Sequence, residues 1–229
     1  MTGVIFGFVA GLVVAGLLIY VLSAKKHREY REYHQVLLSV VHTFAEAIDR
    51  QSTFSGHHTM RVKNLCKAIG RELGVPQEDI QRLELAAMLH NVGNVGISTD
   101  VLNKEGALTG DEYDAIKKHT VFGNDIVMSA EKLDMILPGI RSHHERYDGS
   151  GYPDGAAGEE IDILARIIAV ADAYDAMISD RPYRKRHDAD FAVEELRKNA
   201  GTQFDPKVVD AFMKVYRAKH DKAVEASGI

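Results

Sequence analysis

Six side chains in this sequence have the donor chemistry to hold divalent metal: His58, His90, His119, His143, His144 and Asp172. Each stands near an expected helix end or faces a loop. Imidazole nitrogen suits iron, manganese and zinc. Five histidines and one aspartate spread over five helices can converge in a bundle core, where dimetal sites are commonly built. His57 neighbours His58 and is the alternative to it. The remaining histidines, His27, His34, His42, His187 and His220, read as structural or surface residues.

The elements that must position these residues are helical. Residues 25–50 contain no Gly or Pro. Their apolar positions, Val36, Leu37, Val40, Val41, Phe44, Ala47 and Ile48, recur at helical spacing. Further helices are expected over 57–73, 77–90, 109–119, 122–130, 135–145, 161–178, 189–199 and 206–219. Thr109 and Glu112 have the spacing of a capping box. Residues 93–106 read as a loop, and 148–155, with three glycines and a proline, as a turn. No stretch alternates as a strand. The expected fold is all-α, a domain of about seven helices behind one N-terminal transmembrane helix.

Length and composition bound the rest. The 229 residues allow one globular domain plus an appendage, and 45% apolar residues suffice for a core. A net charge of −5 argues against a nucleic-acid coat, so DNA is not an expected partner. The lone cysteine, Cys66, excludes an internal disulfide framework and reads as a buried helix residue. Val4 to Leu22 is an uncharged apolar run of about the ~20 residues that span a bilayer. Lys25, Lys26 and Arg28 follow it, which predicts a single-pass membrane protein with its domain facing the cytoplasm. A signal peptide is the rival reading, weakened by the missing charged n-region. Gly3, Gly7, Gly11 and Ala15 form a small-residue stripe along which two copies could pair as a homodimer. The expected division is an anchor at 1–23, a helical stalk at 24–44, the main domain at 45–220 and a tail at 221–229.

The flanking sequence then makes the histidine pattern specific. The stretches Ala47-Ile48-Asp49, His58-Thr59-Met60-Arg61-Val62, Leu89-His90-Asn91-Val92-Gly93-Asn94 and Lys118-His119-Thr120 occur in order. After them come 143–155, beginning His143-His144-Glu145 and ending Pro153-Asp154-Gly155, then 165–176, Arg181-Pro182-Tyr183-Arg184 and Gly201-Thr202-Gln203-Phe204-Asp205-Pro206. Over about 45–212 the chain resembles the HD-GYP family, a branch of the HD phosphohydrolases. That resemblance implies a helical domain holding divalent metals, iron or manganese first, that hydrolyses cyclic dinucleotides, chiefly cyclic di-GMP. It implies that His58, His90, His119, His143, His144 and Asp172 ligate metal and that Arg181 and Arg184 contact the dinucleotide. Gly151-Tyr152-Pro153 belongs to the family's name motif, implicated in binding partners such as GGDEF synthase domains; the other reading is that it shapes its loop.

The chain departs from the family at the catalytic motif. Asn91 stands where the family has an aspartate that bridges two metals, and Asn94 where it usually has lysine. A neutral amide cannot offset repulsion between two dications at close range. Weaker binding of at least the second metal is therefore expected. Phe54 replaces an acidic third-metal ligand found in some relatives, so two metals is the upper limit, with one or none open. Glu84, Asp100, Glu145 and Asp148 are the acids nearby in sequence. The leading expectation is a membrane-anchored cyclic di-GMP phosphodiesterase impaired at Asn91 and Asn94. The alternative is an inactive module that binds the dinucleotide or docks a synthase. A general nucleotide phosphohydrolase is disfavoured by the Gly-Tyr-Pro region.

Overall fold

Apolar residues at three- and four-residue intervals give each helix one face to bury, and the computed structural model is built by joining those faces. It describes residues 23–26, 28–29, 32–33, 35–51, 57–180 and 185–227, without the side chains of 222–227. The chain divides into two compact units, Met1–Val41 and His42–Ile229. Residues 35–49 form helix α1. Then come α2 (His58–Glu72), α3 (Gln77–Leu89), α4 (Thr99–Leu102), α5 (Gly110–Lys117), α6 (His119–Met128), α7 (Leu137–Arg141), α8 (Ile163–Ile178), α9 (Ala189–Lys198) and α10 (Pro206–Ser227). Short 3-10 turns cover Val92–Gly96, Asp134–Ile136 and Gly158–Glu160. Among the described residues there is no strand, only an isolated bridge between Ala200 and Phe204. The all-α expectation holds.

Helix α8 is the central element. It buries Leu164, Ala165, Ile167, Ile168, Val170 and Ala171, each large aliphatic contributing roughly 1.5–3 kcal/mol. It packs against α2, α7, α9 and α10, while α3 packs against α2 and α7. Asp162 caps its N-terminus by accepting the Leu164 N–H at 2.8 Å. Arg166, on the same helix, reaches Asp205 at the head of α10 at 2.6 Å. Cys66 is fully buried in α2, and burial pushes its thiol well up.

Several boundaries differ from the sequence reading. The capping box at Thr109 and Glu112 forms as expected. The loop expected over 93–106 contains the Val92–Gly96 turn and α4. The helix expected over 135–145 breaks into a 3-10 turn and α7, which ends at Arg141 before His143.

The expected single-pass membrane placement is corrected. Among the described residues no helix is long and apolar enough to cross a membrane. Residues 4–22, on which that expectation and the glycine stripe rest, lie outside the described residues.

Candidate metal centre

One device places three of the histidines. A helix leaves its last carbonyls without intrahelical donors, and a histidine side chain near the end can supply one. His90 follows α3, and its Nδ1 lies 2.8 Å from the Ala87 carbonyl. His119 follows α5 and opens α6, with Nδ1 2.8 Å from the Ile116 carbonyl. His143 lies just past α7, with Nδ1 2.7 Å from the Ile140 carbonyl. A carbonyl can only accept, so each contact assigns the hydrogen to Nδ1 and leaves a lone pair on Nε2. His58, at the start of α2, is held differently. Its Nδ1 lies 2.7 Å from Asp175 of α8, whose other carboxylate oxygen accepts from Arg61 Nε at 2.6 Å.

These rings form a continuous cluster. His58 and His90 have centroids 5.5 Å apart, His90 and His143 5.1 Å, His119 and His143 5.3 Å, and His143 and His144 4.2 Å. Two trios have metal-capable atoms within 4.8 Å of one another, His58 with His90 and Asp172, and His119 with His143 and His144. Asp172 Oδ1 lies 3.4 Å from His58 Nε2 and 3.8 Å from His90 Nε2. The donor set fits divalent cations. His119 and His143 turn their Nε2 atoms toward each other at 3.2 Å, and with both hydrogens on Nδ1 those lone pairs repel unless a cation or proton lies between them. Buried His90 Nε2 has no hydrogen-bond partner, which a ligating role would satisfy.

Charge divides the two trios. Burial lowers the pKa of His119, and of His143 well below its usual value, the other imidazoles adding to the effect. Burial, with His119 beside it, brings His144 down to about 3. Burial also lowers His90, partly offset by Asp172. These rings are neutral, the form that binds metal. At His58 burial opposes protonation, but the Asp175 hydrogen bond and the Asp172 charge outweigh it and raise the pKa. Burial pushes the Asp175 carboxyl up, and His58 and Arg61 more than reverse this.

The rings of His58, His119 and His144 look onto a cleft of about 700 Å³ whose lining includes Asn91, Asn94, Asp49, Arg61 and Lys104. Both altered positions thus face the cluster. The Asn91 amide nitrogen lies 3.5 Å from His58 Nε2. The segment bearing Asn91 and Asn94 reaches α6 through Gly93, where a Cβ would stand 1.9 Å from the His119 carbonyl oxygen. Only glycine permits that approach.

The acids nearby in sequence lie elsewhere. Glu84 pairs with Lys67 at 2.9 Å, Asp100 is exposed, and Asp148 accepts from Ser150 on its own turn. The carboxylates on the cleft besides Asp172 are Asp49 and Asp175. Buried Asp49 accepts the backbone N–H and the hydroxyl of Thr59. Neither was singled out for a role from the sequence, although Asp172 and Asp175 share an α8 face at a three-residue interval. His57 is not in the cluster; its side chain is 77% exposed and meets Glu46 at 3.6 Å. His42 also meets Glu46, at 3.7 Å, and His187 stacks on Phe191. Arg181, Arg184 and Phe54, with His27 and His34, lie outside the described residues.

The Gly-Tyr-Pro turn is tied to the ligand segment. Tyr152 stacks on His144 with centroids 5.0 Å apart, and its N–H donates to the His144 carbonyl at 3.3 Å. Glu145, buried, accepts from the N–H groups of Asp154 at 2.7 Å and Gly155 at 3.1 Å. Arg141 clamps Asp154 at 2.7 Å. A Cβ on Gly151 would stand 2.2 Å from the Arg146 nitrogen. These contacts hold the turn against His144.

The chain is similar to known proteins. Residues 42–208 match the HD domain family. The chain is 37% identical over 172 residues to the cyclic di-GMP phosphodiesterase response regulator RpfG of Xanthomonas campestris pv. campestris, covering 74% of this chain and 46% of that protein. It is 33% identical over 219 residues to a cyclic di-GMP phosphodiesterase of Thermotoga maritima, covering 92% and 60%. The chain thus spans about half the length of these curated relatives. Among solved structures, a cyclic GMP-AMP specific phosphodiesterase of Vibrio cholerae shares the fold with a TM-score of 0.64 at 21% identity, over 78% of this chain and 48% of that one. With the match over residues 42–208 and this pattern of relatives, the chain belongs to the HD domain family, and within it to the HD-GYP kind.

Proposed function

We propose that this chain is a metal-dependent phosphodiesterase domain for a cyclic dinucleotide, cyclic di-GMP or a relative such as cyclic GMP-AMP, weakened by Asn91 and Asn94. The observation that supports it is the meeting of two metal-capable trios on one cleft large enough for a nucleotide. His58, His90 and Asp172 would hold one cation, and His119, His143 and His144 the other. Divalent metals so bound supply a nucleophilic water near neutral pH and polarise a phosphoryl oxygen. The chain's own residues fix ring orientation through the Ala87, Ile116 and Ile140 carbonyls and Asp175. The family resemblance assigns Arg181 and Arg184 to the dinucleotide, whose phosphate oxygens suit a guanidinium fork.

A second reading, a module that binds without cutting, is favoured by one observation. The position where the family has its aspartate carries a neutral amide, Asn91, 3.5 Å from His58 Nε2, and the His119, His143, His144 trio includes no carboxylate. The test is turnover by the purified full chain supplied with iron or manganese, followed by separation of linear from cyclic di-GMP. Slow, metal-dependent appearance of linear product is expected. Tight binding without product selects the second reading, and neither binding nor product contradicts both.

A further inference from the structure

A large part of the cleft wall comes from one segment, 101–108, which contributes Val101, Leu102, Lys104, Ala107 and Leu108. The segment is pinned at both ends. Asn103 Nδ2 donates to the Gln51 carbonyl at 2.9 Å. Glu112 accepts the Thr109 backbone N–H at 2.7 Å and the Lys104 ammonium at 2.6 and 2.8 Å. Glu112 therefore aligns the capping box and the lysine at once, and Lys104 holds its carboxyl below the usual range.

An ammonium carries three N–H groups, and a carboxylate engages two at most. One Lys104 N–H is left over, on a side chain that lines the cleft and is 34% exposed. Among the described residues of the lining, the cations are Lys104 and Arg61. Arg61 already donates to Asp175 from two nitrogens, at 2.6 and 3.0 Å, and to Ser179 at 3.0 Å. Asn94 on the same lining is neutral. A cyclic dinucleotide carries two phosphodiester charges, and a metal cluster that engages one leaves the other to be met by the wall.

We infer that Lys104, positioned by Glu112, is a ligand-binding residue that contacts the phosphodiester not being cut. This rests on the cyclic-dinucleotide reading. Its test is binding of a non-hydrolysable phosphorothioate analogue of cyclic di-GMP to the metal-loaded full chain, with Lys104→Met and Lys104→Arg compared. Lys104→Met keeps the aliphatic stem and is expected to weaken binding about tenfold at low salt, as loss of a charge-assisted contact does. Lys104→Arg keeps a cation that can engage a phosphate oxygen and should stay within about threefold. The gap between wild type and Lys104→Met should narrow at high salt, with metal content unchanged in both variants and the melting temperature of Lys104→Met lowered by no more than about 4 °C through loss of the Glu112 pair. Equal affinity of Lys104→Met and wild type overturns the inference alone. So does a loss that is independent of salt and not rescued by arginine, which marks a structural role. A wild-type chain that binds no cyclic dinucleotide overturns the parent reading and this inference with it.

Discussion

The two trios border one cleft, through His58 and Asp172 on one side and His119 and His144 on the other, and are charged differently. His119, His143 and His144 are three imidazoles that burial keeps neutral. His58 and His90 share Asp172, and His58 is further backed by Asp175. A dication at the second group has part of its charge offset by a carboxylate; a dication at the first has no such offset within its own trio. The difference teaches where the missing aspartate matters. Asn91 touches His58, on the side already supplied with carboxylate, and an acid shared across both groups would have served the poorer one most. The centre should therefore fill unevenly, the His58 side first.

Several changes would break or sharpen that contrast. The largest effect is expected from Asp172→Ala, which leaves both trios as bare imidazoles. Metal affinity at the His58 side should fall by more than about 100-fold, beyond the loss usual for an outer-shell partner, as measured by competition with a chelator. Retention of a tight metal in that variant would show that Asp172 is not the source of the asymmetry. Next is Gly93→Ala, which tests whether the two groups depend on the close approach of the Asn91 segment to α6. The Cβ meets backbone at 1.9 Å, so a destabilisation of about 3 kcal/mol is expected, read by denaturant unfolding, with metal binding lost together at both trios. An unchanged midpoint would mean that the segment is free to shift. Asp175→Asn is the mildest. It removes the charge that orients His58 while leaving the other trio untouched, so about a tenfold loss of affinity is expected at one site only. Equal loss at both would contradict the division.

Much of this site was legible in the sequence because His58, His90 and His119 sit at helix ends, and helix ends carry their own signals. His90 follows an apolar run, and the Thr109 and Glu112 capping box sets α5 on the path to His119. The break before His143 was not legible. Ile136 and Ile140 continue a helical apolar period, and Pro138 and Gly139 between them fall at the start of α7 and not at its exit. The imidazole of His143 instead takes the Ile140 carbonyl, which a continuing helix would have given to a backbone N–H. Asp49 and Asp175 were missed as site residues for a related reason. Their roles depend on Thr59, His58 and Arg61 across helix interfaces, and spacing along the chain does not report contacts between helices. Lys104 lay in a segment read as plain loop, and its place on the cleft comes from the fold of α4 and α5.

The most direct test of the uneven centre is the metal content of the full chain and of its Asn91→Asp variant, each loaded with manganese, dialysed under identical conditions and analysed by elemental mass spectrometry. Uneven charge predicts about one equivalent retained by the wild type, rising toward about two when the carboxylate is restored, as in two-metal sites that share a bridging anion. Two tightly held equivalents in the wild type, or the same metal content in the Asn91→Asp variant as in the wild type, would contradict it.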